Sequence, residues 1–235
     1  RSREMIEFRD WYAKEIGARL IVHTNAEAIA DGTQPFHVGT QRCCGLLKTK
    51  ALLDGLAAGN FDAAFGGARR DEERSRAKER VFSLRDAKGQ WDPKRQRPEL
   101  WHLLNSRIRN GESIRVFPLS NWTEMDVWQY IARERLALPE IYFAHQREVI
   151  PRNGLLVPVT PLTPARDSEQ IEVRTVRFRT VGDISCTCPV ASEAADVQAI
   201  IAETAITQIT ERGATRMDDQ TNEASMERRK KEGYF

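Results

Sequence analysis

An apolar segment that runs into two glycines and then into a dense series of charges constrains this 235-residue chain more than any other feature. From Phe61 onward the sequence reads FDAAFGGARRDEERSRAKER. The first five residues predict a short buried strand, and Gly66 and Gly67 allow a sharp turn or the close approach of a ligand to the backbone. Arg69 and Arg70 follow directly, and guanidinium groups bind phosphate or sulfate oxygens through paired hydrogen bonds. The pattern predicts an oxyanion-binding edge of a sheet.

Acidic residues follow the two arginines, and their pattern has two interpretations. Asp71, Glu72 and Glu73 could hold the arginines in place or help to bind a hydrated Mg²⁺ ion. The same stretch is also typical of a solvated helix with ion pairs, because Glu72 and Arg76 stand four residues apart. Spacing alone leaves both interpretations open.

Charge and cysteine content exclude several classes of protein. The 36 basic and 34 acidic residues give a net charge of +2, so no polyanionic partner such as a nucleic acid is required. No apolar stretch approaches the ~20 residues that span a bilayer, so we expect a soluble cytoplasmic protein without a membrane partner. The cysteines form two close pairs without Cys-x-x-Cys spacing, which favours reduced thiols over a metal site; they are Cys43, Cys44, Cys186 and Cys188.

The first half of the chain alternates predicted helices and strands. Residues 5–16 have helical spacing of apolar positions and precede Gly17, and Leu20–Val22 predicts a strand. We expect a long loop over 25–42, a helix through Leu46, Leu53 and Leu56, and strands at 61–65 and 114–117. Such alternation is typical of a parallel sheet covered by helices, an α/β fold.

The second half has a different pattern. Asn153-Gly154 predicts a hairpin turn between two apolar runs, and Thr123 with Asp126 marks a helix start. Residues 171–180 predict an arginine-rich strand, and 191–212 predict a helix that Ser192 could cap. We place a boundary near Phe143, with an α/β nucleotide-binding part at 1–143 and a hairpin, helix and tail appendage at 144–235.

Several stretches carry a resemblance to a known family. They are the run Gly66–Arg80, Trp91-Asp92-Pro93, Gln96–Trp101, Gly111–Glu124, Val176–Thr180 and the ending Gly233-Tyr234-Phe235. In these residues the chain resembles the small, ATP-binding subunits of bacterial sulfate adenylyltransferase, within the PAPS-reductase-like PP-loop family. The resemblance covers nearly the whole chain.

The resemblance implies a fold, a reaction and a partner. The fold is adenine nucleotide alpha hydrolase-like, a parallel sheet with helices on both faces, with ATP across the carboxyl ends of the strands. The reaction is the adenylylation of sulfate by ATP and Mg²⁺, which gives adenosine 5′-phosphosulfate and pyrophosphate for sulfate assimilation. The partner is a larger GTPase subunit whose GTP hydrolysis drives this step.

We assign site residues to this chemistry, because two anions must be brought together. Arg69 and Arg70 are predicted to bind sulfate or the phosphate oxygens, and Asp71 to orient them. Phe117 and Leu119 are expected to pack in the core. The remaining predicted nucleotide-binding residues are Gly66, Gly67, Glu72, Arg74, Lys78 and Arg80.

Two departures from the family keep alternatives open. The family's Ser-Gly-Gly-Lys-Asp-Ser pyrophosphate loop does not occur in this sequence, which opens at Arg1 in a helical pattern, so we expect that the natural beginning lies upstream. Without that loop a non-catalytic binding role is an alternative. The stretch 42–53 with Cys43-Cys44 is similar to the iron–sulfur adenylylsulfate reductases, which are the other alternative, although Cys186-Thr187-Cys188 does not supply their second motif.

Overall fold

The computed structural model describes residues 2–72, 74–183, 185–207, 209 and 215. These residues form two compact units: the first combines 2–20 with the described residues from 123 on, and the second is 21–122. The domain boundary that we placed near Phe143 stays a prediction, since a compact unit need not be a separately folding domain.

The described chain contains seven α-helices and seven strands. The helices are α1 (Arg3–Glu15), α2 (Ala26–Ala30), α3 (Pro35–Val38), α4 (Thr40–Cys44), α5 (Ala51–Gly59), α6 (Glu124–Glu134) and α7 (Val197–Ile206). The strands are β1 (Ala63–Phe65), β2 (Phe82–Arg85), β3 (Ser113–Val116), β4 (His145–Arg152), β5 (Leu155–Pro158), β6 (Glu172–Arg177) and β7 (Val190–Ala191). A π-helical segment, Gly45–Lys50, joins α4 to α5.

The sheet of the second unit is mixed and has the order β1-β3-β2. β1 pairs with β3 in parallel, with Phe65 opposite Val116. β2 pairs with β3 in the antiparallel sense, with Phe82 opposite Val116 and Arg85 opposite Ser113. The predicted α/β character is present, but a parallel arrangement occurs in this sheet only between β1 and β3.

The sheet of the first unit is antiparallel throughout and has the order β5-β4-β6-β7. The predicted hairpin is confirmed, because β4 and β5 flank Asn153 and Gly154, which have φ angles of 51° and 77°. Both turn positions require positive φ, which asparagine and glycine tolerate best. Ile150, Leu155 and Val157 pack with Cys188 in a buried cluster beside this hairpin; the second cluster of the unit consists of Trp128, Ala194 and Ile200.

Helix α6 begins as the sequence predicts. Thr123 and Asp126 form a reciprocal capping box, in which the Asp126 N–H donates to Thr123 Oγ1 at 3.1 Å. The spacing predicts Val127, Tyr130 and Ile131 as the inward face; Ile131 does pack against the buried cluster and Val127 is half-buried, but Tyr130 is exposed. The buried aromatic residue of the helix is Trp128.

Two predictions for residues 20–42 were wrong. Leu20–Val22 is not a strand, because none of the described strands pairs with it, and its side chains are exposed. The expected loop over 25–42 instead contains α2, α3 and part of α4. Asn25 caps α2 by accepting from the Ala28 N–H at 3.2 Å, and Pro35 starts α3. Helices of four or five residues are too short to give a clear periodic pattern in the sequence.

The predicted helix over 191–212 begins later than expected. Residues Val190–Ala191 are paired with β6, so the chain is extended there, and Asp196 caps the helix by accepting from the Ala199 N–H at 2.8 Å. Ser192 donates to Glu203 instead of capping. The helix also ends earlier than predicted, because α7 stops at Ile206 and Thr207 is extended. The aromatic tail at Tyr234-Phe235 lies outside the described residues.

The described part of the chain gives no indication of a membrane span, since none of its helices is both long and apolar enough to cross a bilayer.

Candidate functional site

The predicted oxyanion-binding segment begins at the carboxyl end of β1. The Gly66 N–H donates to the Val116 carbonyl at 2.9 Å, which extends the parallel pairing of β1 and β3 by one residue. Ligands of open α/β sheets bind beyond the carboxyl ends of such strands. The segment that follows Gly66 therefore lies at the sheet edge where this class of fold places its ligands.

Two chain segments lie side by side at this edge. The Arg70 N–H donates to the Ser120 carbonyl at 2.9 Å, so the segment after β1 runs along the segment after β3. We call residues 66–72 and 117–121 together the carboxyl-edge site. Its two segments are 45 or more residues apart in sequence, and the parallel pairing of two short strands brings them together.

The Arg70 side chain is fixed by three hydrogen bonds. Its Nε and Nη2 atoms donate to the Glu79 carbonyl at 3.2 and 2.8 Å, and its Nη1 atom donates to Asn121 Oδ1. A guanidinium group carries five N–H donors, so one N–H on each terminal nitrogen is not used by these bonds. Arg70 therefore combines a fixed orientation with two donors for a ligand.

Arg69 is more deeply placed than Arg70. Arg69 is only 6% exposed, whereas Arg70 is half-buried. The Arg69 Nη1 atom lies 3.7 Å from Asp71 Oδ2, and the Asp71 side chain is about half exposed. Arg69, Arg70 and Asp71, which are consecutive in the sequence, thus all lie at the carboxyl edge, and their roles in binding stay a prediction.

The glycine pair behaves differently from the prediction. Neither Gly66 nor Gly67 has a positive φ angle, so the turn itself does not require glycine. A Cβ atom at Gly67 would meet nothing within 4 Å, which leaves open space beside the backbone there. β1 is also exposed where a buried strand was predicted, since Phe65 is 71% exposed. This strand lies at the edge of its sheet and has a described neighbour on one side only.

The other predicted ligands are less closely grouped. Glu72 lies 3.7 Å from Arg76 in the ion pair that the spacing suggested. Arg80 donates from Nε to the Arg97 carbonyl at 3.0 Å and from Nη1 to the Lys78 carbonyl at 2.7 Å. The Lys78 side chain is exposed. The side chain of Arg74 lies outside what the structure describes, as does Glu73.

Comparison with known proteins supports the sequence resemblance. The phosphoadenosine phosphosulfate reductase domain family matches residues 1–189. A sulfate adenylyltransferase subunit 2 of Mycobacterium sp. strain KMS is 56% identical over 232 residues, which cover 99% of this chain and 74% of the relative. Proteins of the same description from Saccharophagus degradans and Akkermansia muciniphila are 53% and 50% identical over 234 residues, covering 99% of this chain and 77% of each relative.

The chain belongs to the sulfate adenylyltransferase subunit 2 family. The alignment covers 99% of the chain and therefore includes all of the carboxyl-edge site. The same alignments include the antiparallel second half, which the reductase domain match covers only as far as residue 189.

A buried charge cluster lies next to Arg70 in this member of the family. The Ser83 hydroxyl donates to Glu79 Oε1, and Arg85 Nη1 donates to Ser83 Oγ at 2.6 Å and lies 3.7 Å from Glu79 Oε1. Burial lowers the pKa of Arg85, although Glu79 opposes this shift. Burial, together with the charge of Arg85, lowers the pKa of Arg115 to about 10. Two buried guanidinium groups thus lie close to each other, and one of them, Arg85, lies within ion-pair distance of the Glu79 carboxylate.

Sequence reasoning missed three residues of the carboxyl-edge environment. They are Glu79, whose carbonyl fixes Arg70, and Ser120 and Asn121, which bind Arg70 from the segment after β3. A signal for the last two was present, because polar residues that directly follow parallel strands meet at one sheet edge. No comparable signal existed for Glu79, which acts through its backbone.

The described residues give no resident metal centre. Across the ranges that the structure describes, no group of three or more histidine, cysteine, aspartate or glutamate residues is placed to hold a metal ion. All four cysteines are buried, and none of them forms a disulfide bond within the described residues. Asp71 presents a half-exposed carboxylate at the carboxyl edge.

Proposed function

We propose that this protein is the small subunit of a sulfate adenylyltransferase, acting in sulfate assimilation. An oxygen of sulfate attacks the α-phosphorus of ATP, the bond between that phosphorus and the α,β-bridging oxygen breaks, and pyrophosphate leaves. The product is adenosine 5′-phosphosulfate. The observation that carries the proposal is the 50–56% identity to sulfate adenylyltransferase subunit 2 proteins over 99% of the chain.

The carboxyl-edge site supplies the charge that this reaction needs. Sulfate and the triphosphate repel each other, so fixed cationic donors lower the barrier by holding both anions in place. Arg70 is suited to this role because its guanidinium group is held at Glu79 and Asn121 and still has two donors. Arg69 adds a second positive charge in a buried position, where the lower dielectric strengthens its field.

The nucleotide would lie along the same edge. In the proposal, the open space beside Gly67 lets a phosphate approach the backbone, and Gly66, Glu72, Arg74, Lys78 and Arg80 remain candidate contacts of ATP. Mg²⁺ commonly binds through one or two carboxylates plus substrate phosphates, and Asp71 fits the place of such a carboxylate. When bound, the cation would neutralise phosphate charge.

The wider assignments belong to the same proposal. They include an adenine nucleotide alpha hydrolase-like fold, in which a parallel sheet carries helices on both faces. They also include a division of the chain into 1–143 and 144–235, and a cytoplasmic location. The mixed sheet around β1 and β3 agrees with the first of these only in that one parallel pair.

A GTPase large subunit is the proposed partner. The arginines at 174–179 are candidate contacts, because protein interfaces favour arginine; of these, Arg174 is exposed, but Arg177 and Arg179 are buried and paired with Glu203 and Glu124, so those two are not available as anchors. The tail at 226–235 remains a candidate contact. Deletion of these residues should weaken co-purification with the GTPase, and unchanged association would remove the tail from the proposed interface.

The reaction can be tested with the protein in complex with its GTPase subunit. With ATP, Mg²⁺ and GTP present, pyrophosphate release should depend on added sulfate, and mass spectrometry should detect adenosine 5′-phosphosulfate. Pyrophosphate release that does not change with sulfate, or release without that product, would contradict the proposal.

An adenylylsulfate reductase is the second candidate, because the matching domain family is named for a reductase and because Cys43 and Cys44 are adjacent. An absorbance spectrum of anaerobically purified protein separates the two. A broad iron–sulfur band supports the reductase, and a colourless sample removes it.

A further inference from the structure

A cavity of about 410 Å³ lies in the second unit, apart from the residues of the carboxyl-edge site. It is lined by the end of β2 and by the two irregular segments that precede β3. The lining residues used below are Arg85, Arg95, Arg107, Arg109, Asp86 and Glu112. Its volume is in the range of small-molecule binding sites.

The backbone around the cavity and the carboxyl-edge site lie toward opposite ends of the strands, although the Arg85 side chain reaches Glu79, whose carbonyl binds Arg70. Arg85 is the last residue of β2 and pairs with Ser113, the first residue of β3, whereas the carboxyl-edge site begins beyond Val116. At about 3.3 Å per residue, four strand residues separate the two edges by roughly 10 Å. A ligand in this cavity therefore does not occupy the proposed adenylylation site.

The carboxylates that line the cavity already have partners. Asp86 accepts hydrogen bonds from the N–H groups of Lys88 and Gln90 at 2.9 and 2.8 Å, which holds the turn before Trp91. Asp92, also in the lining, accepts from the Lys94 N–H at 2.9 Å. These two carboxylates therefore stabilise the local backbone.

Glu112 is occupied as well. It accepts from the Arg109 N–H at 3.0 Å and from Arg95 Nη2 at 3.3 Å. Among the three carboxylates that line the cavity, Glu112 is the one that forms an ion pair with a lining arginine, Arg95.

The arginines of the cavity have unused donors. The side chains of Arg107 and Arg109 are exposed and form no ion pair with a carboxylate in the part of the chain that the structure describes. Arg85 is fully buried, and its Nε and Nη2 atoms have no hydrogen-bond partner among the described residues. Arg115, also buried on the neighbouring strand, adds a further positive charge near Arg85. The cavity thus has more cationic donors than the protein itself satisfies.

We propose that this cavity is a second anion site, which binds the phosphate or sulfate group of a small molecule. Arg107 and Arg109 contact the oxyanion directly, since their side chains are exposed. Arg85 closes the cavity from the protein interior, and its charge attracts the anion through space. Guanidinium groups match tetrahedral oxyanions in charge and in geometry, whereas a neutral ligand would leave these donors unused.

The test uses sodium phosphate and sodium sulfate as separate probes, with sodium chloride at matched ionic strength as the baseline. Isothermal titration calorimetry measures binding to the wild-type complex, to Arg107→Gln/Arg109→Gln and to Arg70→Ala. Arg133→Gln is the matched control, because Arg133 is an exposed arginine on α6 that does not line the cavity. The single variant Arg107→Gln is included should the double variant fail to give a native circular dichroism spectrum.

The expected result is saturable binding of at least one of the two probes to wild type, Arg133→Gln and Arg70→Ala. The binding that Arg70→Ala retains should be at least about 10-fold weaker in the double variant, because the cavity loses charge-assisted donors to the anion. The probe that binds with the higher affinity identifies which oxyanion the cavity prefers. Binding that is lost in Arg70→Ala but kept in the double variant would place the anion at the carboxyl edge and overturn the proposal, as would the absence of saturable binding to wild type.

Discussion

The guanidinium group of Arg70 is bound to the backbone of Glu79, since its Nε and Nη2 atoms both donate to the Glu79 carbonyl, at 3.2 and 2.8 Å. The carboxylate of the same glutamate lies 3.7 Å from the buried Arg85. Glu79 therefore contributes its backbone to the carboxyl-edge site and its side chain to a buried charge cluster. The orientation of Arg70 depends on the conformation of the chain at 79, which that cluster stabilises.

Replacement of Arg70 by alanine tests the proposed charge stabilisation. We expect Arg70→Ala to lower the kcat of sulfate adenylylation at least ~100-fold, because it removes a fixed donor at the place where charge develops. Arg70→Lys should recover only a part of this loss, since an ammonium group does not reproduce the forked geometry. The measurement is sulfate-dependent pyrophosphate release by the complex with the GTPase subunit.

Arg133→Ala provides the control for the loss of one surface arginine and should be as active as wild type. Turnover of Arg70→Ala close to wild type, with a native circular dichroism spectrum, would exclude Arg70 from the reacting site.

Asn121 is predicted to position Arg70, since its Oδ1 atom accepts from Arg70 Nη1. Asn121→Ala should lower kcat about 10-fold, because one hydrogen bond to a charged group contributes about 1.5–3 kcal/mol and a tenfold rate change corresponds to about 1.4 kcal/mol. Asn121→Gln keeps an amide acceptor without adding a negative charge beside the anions and should recover a part of the activity. The KM for ATP should change less than kcat in both variants.

A merely structural role for Asn121 predicts a different pattern. In that case the alanine and glutamine variants would be equally impaired, or the loss would follow a lower thermal unfolding temperature. Either pattern in matched kinetic and melting measurements would count against the positioning role.

The sequence predicted where Arg69 and Arg70 lie better than it predicted the contacts that they make. Their place at the carboxyl edge was predictable because they follow a short apolar strand within a few residues, and residues after parallel strands share one sheet edge. The hairpin at Asn153-Gly154 and the capping box at Thr123 were predictable because each depends on two local residues with strong preferences. In all of these cases the neighbouring residues in the sequence were sufficient to predict the local structure.

Features that depend on distant partners could not be predicted in the same way. The antiparallel strand β2 was missed, because its Arg85 and Ser83 are polar residues that tertiary contacts bury. Leu20–Val22 is apolar and β-branched in part, yet a strand also requires a neighbour, which sequence patterns do not specify. The bond of Arg70 to the Glu79 carbonyl carries no side-chain signal at all.

The buried ion pair of Glu124 and Arg179 is predicted to be important for the stability of the first unit. Both side chains are nearly inaccessible, and Arg179 also donates from Nη1 to the Ile209 carbonyl at 3.0 Å. Arg179→Ala leaves the Glu124 carboxylate buried without this partner, so we expect a loss of about 3–5 kcal/mol in the free energy of unfolding. Urea denaturation measures this loss.

The exposed pair of Arg174 and Glu172 is the matched control, because it lies on the neighbouring strand β6 but remains in contact with solvent. Arg174→Ala should cost less than ~1 kcal/mol, as is usual for a surface salt bridge. Equal losses in the two variants would show that burial does not increase the contribution of the Glu124–Arg179 pair to the free energy of unfolding.

Glu169 is predicted to make stability depend on pH in the acid range. Its two carboxylate oxygens accept from Arg152 Nε and Nη2, each at 2.6 Å, and the Arg166 N–H donates to it at 2.9 Å. The hydrogen bonds from Arg152, followed by that from the Arg166 backbone, lower the pKa of Glu169 to about 2, against an ordinary value of 4.5. A lowered folded-state pKa means that the unfolded chain binds more protons between these two values.

The contribution of Glu169 is therefore fully present above pH 5 and is lost as the pH falls from about 4.5 towards 2. Glu169→Gln has no carboxylate at this position and keeps one acceptor oxygen, so it should be less stable than wild type at pH 7. The difference in urea midpoint between the two proteins should then shrink steadily from pH 5 to pH 3, because the Glu169 carboxylate of the wild type becomes protonated. The other acidic groups titrate in both proteins, so their effect cancels in the difference. A difference that stays constant over this range would show that the Glu169 carboxylate is not selectively stabilised in the folded protein.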